Sequence, residues 1–236
     1  MPAKPKPPDR TRQDAVVYRA VVFDLWGTLV RWPSEDSERL RERWAEKLGL
    51  SAARLDELWY EAGAYEERES GPLLPFLSSI RAAAGSEIDV AEFLGWRVDL
   101  ARQALVSDEE TAQTLRELRR RQHVLALVSN CTEDVSIVWP ETELAPLFDV
   151  AVFSAVAGFM KPDRRIYELA CDELGVVPSD CLFVGDGAND ELSGAQRVGM
   201  TAVLIHGEGE EPIWPAAREW RGPRITAIPQ ILDLVA

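Results

Sequence analysis

The chain contains a short apolar segment that ends in a carboxylate. Val21, Val22 and Phe23 are β-branched or aromatic, Asp24 follows them, and Gly27 then interrupts the pattern. A run of this kind, bounded by a turn residue, is typical of a buried β-strand. In open α/β sheets, ligands bind in the crevice outside the carboxyl ends of the strands. The segment therefore predicts a sheet whose binding crevice contains Asp24.

Strand-like and helix-like segments alternate along the rest of the chain. With the first one included, the predicted strands cover residues 18–24, 123–128, 149–153, 181–184 and 201–205. Helical periodicity lies between most of them, as in residues 108–121, 163–174 and 189–198. This alternation indicates an α/β fold with a doubly wound parallel sheet.

A long segment of helical character lies between the first and the second predicted strand. Apolar residues recur at helical spacing through residues 34–105, and no convincing strand interrupts them. Ser34 and Ser51 are predicted to cap the first two helices. We therefore expect a helical insertion that joins the α/β body at both of its ends.

Polar residues follow several of the predicted strands. Thr28 offers a hydroxyl and a backbone N–H beside Asp24, whose carboxylate can act as a nucleophile. Ser129 and Asn130 end a strand before a helix, where a hydroxyl and free N–H groups can hold a phosphate oxygen. Lys161 could place an ammonium over the same anion. Taken singly, each residue also fits a helix cap or a solvated surface position, but their order in one chain favours a shared site.

A second group of acids follows the fourth predicted strand. Asp186 and Asp190 lie one helical turn apart, directly after a Val-Gly pair. Together with Asp24 they could surround Mg²⁺, which prefers carboxylate, water and phosphate oxygens. The cation would offset the repulsion between a carboxylate nucleophile and a phosphate group. Acids at the positive end of a helix explain the same pattern, so the metal set is a hypothesis at this point.

The charge balance argues against two classes of partner. The 236 residues include 40 acidic and 26 basic side chains, which gives a net charge of −14. Such a surface repels nucleic acid and anionic membranes, and no apolar run approaches the ~18 residues of a membrane span. We expect a cytoplasmic protein, a monomer or homodimer, that acts on a small molecule.

The four polar segments, in this order, resemble the four motifs of the haloacid dehalogenase-like hydrolase superfamily. The resemblance covers the chain from about Tyr18 to Ile205. It implies a Rossmann-like core with a helical cap inserted after the first motif. The corresponding boundaries are a disordered leader at residues 1–15, a core at residues 16–31 and 106–236, and a cap at residues 32–105.

The resemblance also implies roles for individual residues. Asp24 would be the nucleophile that forms an aspartyl-phosphate, with Thr28 and Lys161 as further catalytic residues. Ser129, Asn130 and Lys161 would bind the phosphoryl group of the substrate.

A magnesium site is implied in the same way. Its ligands would be Asp24, the backbone carbonyl of Trp26, and Asp186. Asp190 would support either the metal ion or Lys161.

Trp26 departs from the pattern of the family's phosphatases, which have Asp at this position. That Asp protonates the leaving group and then activates water, and Trp can do neither. General acid–base catalysis contributes typically ~10²–10⁴-fold to the rate. Trp26 therefore predicts slow turnover, a substrate with a good leaving group, an acid or base supplied from the cap, or a different reaction.

Because of Trp26, two other functions are alternatives to a phosphatase. The family's 2-haloacid dehalogenases carry an aromatic Tyr at this position and need no metal. They also carry Arg after a stretch that resembles Leu58-Trp59, where this chain has Tyr60, and they tend to lack the acid that Asp186 provides here. A protein with the family fold and weakened catalysis, kept to bind a partner, is the third possibility. The intact Asp24 and Asp186 favour a Mg²⁺-dependent phosphatase.

Overall fold

The structure, a computed structural model, describes residues 18–31, 35–61, 64–209 and 211–235. The predicted leader at residues 1–15 and the predicted cap residue Ser34 lie outside these ranges. Within them, no helix combines the length and the apolar character that a membrane span requires.

One sheet of six parallel strands forms the centre of the described part of the chain. The strands are β1 (Ala20–Phe23), β2 (Val124–Ser129), β3 (Val150–Phe153), β4 (Cys181–Gly185), β5 (Thr201–Ile205) and β6 (Arg224–Ile225). Their order in the sheet is β3-β2-β1-β4-β5-β6. The chain runs outward from β1 to β3 and then resumes with β4 on the other side of β1. The strand order therefore reverses between β1 and β4, where ligands bind in doubly wound sheets, and the predicted α/β fold is confirmed.

Helices follow β1 in the segment of the predicted helical insertion. They are α1 (Glu35–Leu48), α2 (Ala52–Tyr60), α3 (Ala64–Glu69), α4 (Leu73–Ala84) and α5 (Val90–Ala104). Their apolar faces form a cluster of their own around Trp44, Leu77 and Phe93. Ser51 caps α2 as predicted, because its Oγ accepts a hydrogen bond from the backbone N–H of Arg54 at 3.2 Å. We call α1 to α5 the cap helices; that residues 32–105 form a separate domain stays a prediction.

The remaining helices flank the sheet. They are α6 (Glu109–Arg120), α7 (Glu133–Val138), α8 (Ser154–Ala157), α9 (Arg164–Leu174), α10 (Glu191–Val198), α11 (Pro215–Glu219) and α12 (Ile231–Leu234). The sheet separates two apolar clusters, because successive side chains of a strand point to opposite faces. In β1, Val21 and Phe23 belong to one cluster, while Ala20 and Val22 belong to the other. Both faces are thus buried, as expected for a parallel sheet.

Several local features differ from the prediction, and the short helices α8 and α11 were not predicted. The helix expected from residue 189 begins at Glu191, because Asn189 and Asp190 adopt left-handed φ angles of 51° and 56°. The strand β6 was not predicted, since two residues are too few to show a strand periodicity.

Candidate active site

Asp24 lies at the end of β1, in the crevice between β1 and β4. Its backbone N–H donates to the carbonyl of Val184 at 2.9 Å, which extends the β1–β4 ladder by one residue. Gly27 has a φ of 73°, a conformation that glycine accepts without steric cost, and the chain turns there. The Thr28 hydroxyl then donates to Asp24 Oδ2 at 3.1 Å. The structure therefore brings these two predicted catalytic residues into contact.

Lys161 is buried between two carboxylates. Its Nζ lies 2.5 Å from Asp24 Oδ1 and 2.6 Å from Glu191 Oε2. Burial by itself would lower the pKa of Lys161, but the adjacent carboxylates of Asp24 and Glu191 outweigh burial and raise the pKa above its ordinary value. The ammonium is therefore charged near neutral pH, and it fixes the orientation of the Asp24 carboxylate.

Glu191, and not Asp190, is the acid that supports Lys161. The structure corrects the prediction here, because Asp190 is exposed and its carboxylate pairs with Arg197 at 3.2 Å. Glu191 is fully buried, and its Oε1 accepts a hydrogen bond from the backbone N–H of Gly187 at 2.9 Å. Asp190 has a left-handed backbone and directly precedes Glu191, the first residue of α10. The two adjacent acids therefore differ in where their side chains lie.

The surroundings of Glu191 are shaped to hold a carboxylate. A Cβ added at Gly185 would collide with Glu191 Oε1, so the last residue of β4 has to be glycine. The Tyr167 hydroxyl donates to the backbone carbonyl of Glu191 at 2.8 Å. Glu191 shares the buried face of α10 with Ala195, four residues later, but this spacing alone does not decide whether Asp190 or Glu191 is the buried acid.

Asp186 completes a cluster of three acids. Carboxylate oxygens of Asp24, Asp186 and Glu191 lie within 4.8 Å of one another. Asp186 Oδ1 accepts the backbone N–H of Ala188, and Oδ2 accepts the Trp214 indole N–H, both at 2.9 Å. Burial raises the pKa of Asp186, and the negative charge of Asp24 raises it further. Three carboxylates around one ammonium leave excess negative charge, so this donor set suits a divalent cation such as Mg²⁺.

Ser129 is the last residue of β2, and Asn130 follows it beside the segment that carries Lys161. Asn130 Nδ2 donates to the Lys161 carbonyl at 2.9 Å, and Asn130 Oδ1 accepts the Lys161 backbone N–H at 2.7 Å. Asn130 therefore positions the backbone of Lys161. Ser129 is fully buried, and its Oγ lies 3.4 Å from the Asn130 carbonyl oxygen, too far for a strong hydrogen bond. The substrate-binding roles of both residues stay predictions.

A cavity of about 580 Å³ lies between the cap helices and the carboxyl end of the sheet. Trp26, Asn130 and Ala188 line it on the side of the sheet. Trp44 and Trp59 line it on the side of the cap helices. Trp26 is half-buried and packs against the apolar cluster of one sheet face. That its backbone carbonyl binds a metal ion stays a prediction.

Arginines from three cap helices line the same cavity, and the sequence analysis missed them. They are Arg41 in α1, Arg68 in α3 and Arg97 in α5. Arg41 pairs with Asp56 at 2.9 Å, and Arg97 pairs with Asp134 of α7 at 3.0 Å. No sequence signal could identify them, because the helical pattern does not specify which faces of separate helices meet around a cavity.

Glu69, next to Arg68 at the end of α3, is a buried acid that lines the same cavity. Burial raises its pKa to about 7, although the positive charges of Arg68 and Arg97 oppose the rise. The negative charge of Asp134 raises it further. Near neutral pH, Glu69 therefore exchanges a proton inside the cavity.

Several curated relatives cover most of the chain. An (S)-2-haloacid dehalogenase 4A from Burkholderia cepacia is 28% identical over 204 residues, which are 82% of this chain and 85% of that protein. A phosphoserine phosphatase from Thermus thermophilus is 29% identical over 222 residues, which are 84% of this chain and 85% of that protein. The two relatives have different reactions, so the pair supports a hydrolase without selecting one reaction.

The structural comparison agrees on the fold. The crystal structure of a HAD phosphatase from Thermococcus onnurineus matches with a TM-score of 0.68 and 21% identity, covering 92% of this chain and 98% of that one. Residues 18–199 also match the family model described as haloacid dehalogenase-like hydrolase. With the ordered motif residues gathered at the sheet's reversal point, this match shows that the chain belongs to the haloacid dehalogenase-like hydrolase family.

Proposed function

We propose that this hydrolase is a Mg²⁺-dependent phosphatase that removes phosphate from a small phosphomonoester through an aspartyl-phosphate on Asp24. The observation that carries the proposal is the setting of Asp24. Its two carboxylate oxygens are held by the Lys161 ammonium and the Thr28 hydroxyl, and Asp186 lies within the same acid cluster. A carboxylate held in one orientation beside a buried cation is suited to attack an anionic phosphoryl group.

In the first step, a carboxylate oxygen of Asp24 attacks phosphorus, and the bond from phosphorus to the ester oxygen breaks. Lys161 faces the same site and compensates the charge of the phosphoryl oxygens. Water then attacks the phosphorus of the aspartyl-phosphate, which releases phosphate and restores the carboxylate. Asp24 and Asp186 would hold Mg²⁺, and the bound ion would supply positive charge against the repulsion between nucleophile and phosphate.

The ester oxygen needs a proton when it leaves, and Trp26 cannot provide it. Leaving groups that depart as stable anions avoid this requirement. We therefore expect activated aryl phosphates to react faster than alkyl phosphates.

The test is hydrolysis of an activated aryl phosphate with Mg²⁺ and with a chelator. We expect phosphate release that depends on Mg²⁺ and falls by at least ~10³-fold in Asp24→Asn, since the nucleophile is lost. Asp190→Asn is the matched control, because this acid follows the neighbouring strand β4 but is exposed and lies outside the acid cluster. Equal losses in both variants, or turnover that the chelator does not affect, would contradict the proposal.

Substitution of Trp26 tests the missing acid–base step separately. If only that step is absent, Trp26→Asp should raise the Mg²⁺-dependent rate with alkyl phosphates by ~10²-fold or more. A rate that does not rise would argue against the phosphatase assignment.

Dehalogenation is the second candidate, and one structural observation favours it. Tyr60 replaces the Arg expected after Leu58-Trp59, but Arg68 and Arg97 enter the cavity from other cap helices. The cavity therefore has cations that could bind a carboxylate or a halide. In this reaction Asp24 would attack the halogen-bearing carbon of a 2-haloacid. Release of chloride from 2-chloropropionate without metal, and no phosphate release, would favour dehalogenation over the phosphatase.

Other parts of the assignment stay predictions. We also propose that the enzyme is cytoplasmic and that it is a monomer or a homodimer. If neither phosphate nor chloride is released from any substrate tested, a binding protein with the family fold becomes the better interpretation.

A further inference from the structure

Four charged side chains form a cluster in the cavity between the cap helices and the sheet. Arg68 and Glu69 belong to α3, Arg97 to α5 and Asp134 to α7, and all four line the cavity. The side chains of Arg68 and Asp134 are only 4% and 1% exposed. Charged groups so deeply buried have to be compensated by partners.

The partners within the described residues are incomplete. Arg68 Nε, Arg97 Nε and Asp134 Oδ1 are buried atoms without a hydrogen-bond partner among them. Arg68 Nε lies 3.4 Å from Glu69 Oε1, which is an ion pair but too long for a good hydrogen bond. Two donors and one acceptor thus remain unsatisfied in one cavity, which is unusual for buried polar atoms.

The two guanidinium groups are nevertheless held in place. An Arg68 terminal nitrogen donates to the Trp59 carbonyl at 2.9 Å, and an Arg97 terminal nitrogen lies 3.0 Å from Asp134 Oδ2. Arg97 also lies over the Trp59 ring, at 4.7 Å from its centroid, and Arg68 lies over the Tyr65 ring at 4.9 Å. Aromatic faces on which arginines stack restrict their motion, so the unsatisfied Nε donors are preorganised.

The charge of the cluster leaves room for one anion. Two guanidinium groups face one carboxylate, that of Asp134, and the partly protonated Glu69. The cluster therefore carries between zero and one net positive charge near neutral pH. A ligand that brings one negative charge would satisfy the arginine donors without leaving excess charge.

We propose that this cluster binds a carboxylate of the substrate through Arg68 and Arg97, while Asp134 accepts a hydrogen bond from a hydroxyl or amino group on a neighbouring carbon. The substrate class is then a small phosphorylated hydroxy acid or amino acid. This identification rests on the proposed phosphatase function. The same cavity reaches Asn130 and Ala188 beside the catalytic residues. One small molecule can therefore contact the charged cluster with one end and the catalytic residues with the other.

The first experiment compares kcat/KM for phosphomonoesters that differ in these groups. Phosphoserine and 3-phosphoglycerate carry a carboxylate with an adjacent amino or hydroxyl group, and phosphoethanolamine lacks the carboxylate. We expect the wild-type enzyme to prefer the two acids by ~10-fold or more, since hydrogen bonds to charged groups have this magnitude. Absence of a preference overturns the proposal.

Variants assign the preference to the arginines. In Arg97→Gln, the ratio of kcat/KM for phosphoserine to that for phosphoethanolamine should fall ~10- to 100-fold. Arg102→Gln is the matched control, because Arg102 lies on the same helix but is exposed and pairs with Glu141 at 2.8 Å. An unchanged ratio in Arg97→Gln, or an equal fall in Arg102→Gln, overturns the proposal. Arg68→Gln replaces Arg97→Gln if circular dichroism shows that the latter does not fold.

A binding measurement separates this inference from the phosphatase proposal. Titration calorimetry with Mg²⁺ compares 3-phosphonopropionate, which has a carboxylate, with propylphosphonate, which does not, and neither can be hydrolysed. Tighter binding of the carboxylate by ~10-fold, without turnover of any ester, supports the carboxylate site and refutes the phosphatase. Turnover of aryl phosphate with equal binding of the two phosphonates refutes the carboxylate site and leaves the phosphatase intact.

Discussion

Replacement of Glu69 by Gln tests the physical account of the cavity most directly. Burial raises the pKa of Glu69 from 4.5 to about 7, against the opposing charges of Arg68 and Arg97. The folded protein therefore prefers the protonated carboxyl, and Gln imitates that neutral form. We expect Glu69→Gln to be more stable than the wild type above pH 7.

The magnitude follows from the pKa of Glu69 in the two states. Each pKa unit corresponds to about 1.4 kcal/mol, so a rise from 4.5 to about 7 is worth roughly 3 kcal/mol. Below pH 4.5 both states of the wild type are protonated, and Glu69 adds no pH dependence. Between pH 4.5 and about 7 the unfolded state releases the proton first, so wild-type stability falls as pH rises. Above about pH 7, the raised pKa of Glu69 lowers the unfolding free energy of the wild type by the full amount, and this loss no longer changes with pH.

The assay is urea unfolding of both proteins from pH 5 to 8.5, followed by tryptophan fluorescence. Because Trp44 and Trp59 lie in the cap helices beside the cavity, the signal includes the region around Glu69. The difference in unfolding free energy should grow with pH by roughly 2–3 kcal/mol in favour of Glu69→Gln. Glu67→Gln, an exposed acid on the same helix, controls for loss of a negative charge. A difference that stays constant with pH would refute the reasoning.

Three further predictions concern the sheet edge. Gly185→Ala should abolish phosphatase activity in the aryl phosphate assay and lower the midpoint of thermal unfolding, because the added Cβ collides with the Glu191 carboxylate. Trp214→Phe should raise the Mg²⁺ concentration for half-maximal activity by ~10-fold, since it removes the indole donor to Asp186; an unchanged requirement would contradict that positioning role. The Cys131 thiol, whose pKa burial raises well above its ordinary value, should resist a thiol reagent in the folded protein and react after unfolding.

The core of the site could be predicted because strand ends are ordered along the chain. Asp24 follows β1, Asp186 follows β4, and these strands are neighbours at the reversal of the sheet. Carboxyl ends of parallel strands meet at one edge, so alternation of strands and helices already brings such residues together. The contact of Lys161 with Asp24 agrees with that reasoning.

The choice between Asp190 and Glu191 could not be predicted in the same way. Two adjacent acids begin the helix after β4, and their side chains diverge because the backbone of Asp190 is left-handed. Sequence periodicity locates a helix start only within a few residues, and that uncertainty decides which acid is buried. The reason for glycine at position 185 is also visible only in the structure, where a side chain at this position would collide with the carboxylate of Glu191.

The cap helices were predicted as helices, but not their arrangement around the cavity. The tryptophans illustrate the difference, since Trp44 and Trp59 line the cavity while Trp96 stacks on Trp44 at 6.3 Å between ring centroids. Helical periodicity marks all three as apolar-face residues. Whether such a residue lines the cavity or lies in the core depends on the angles and offsets between the helices. Those angles and offsets depend in turn on packing between segments that are distant in the sequence.

The hydrogen bond from Asn189 to the Tyr65 hydroxyl, at 2.7 Å, joins α3 to the loop that also carries Asp186. A neutral hydrogen bond of this kind contributes about 1 kcal/mol net, and α5 contacts the core through the buried ion pair of Arg97 and Asp134. The cap helices thus contact the core on two sides, through Tyr65 of α3 and through Arg97 of α5. A separation of α3 from this loop would therefore expose the side of the crevice on which Asp186 lies.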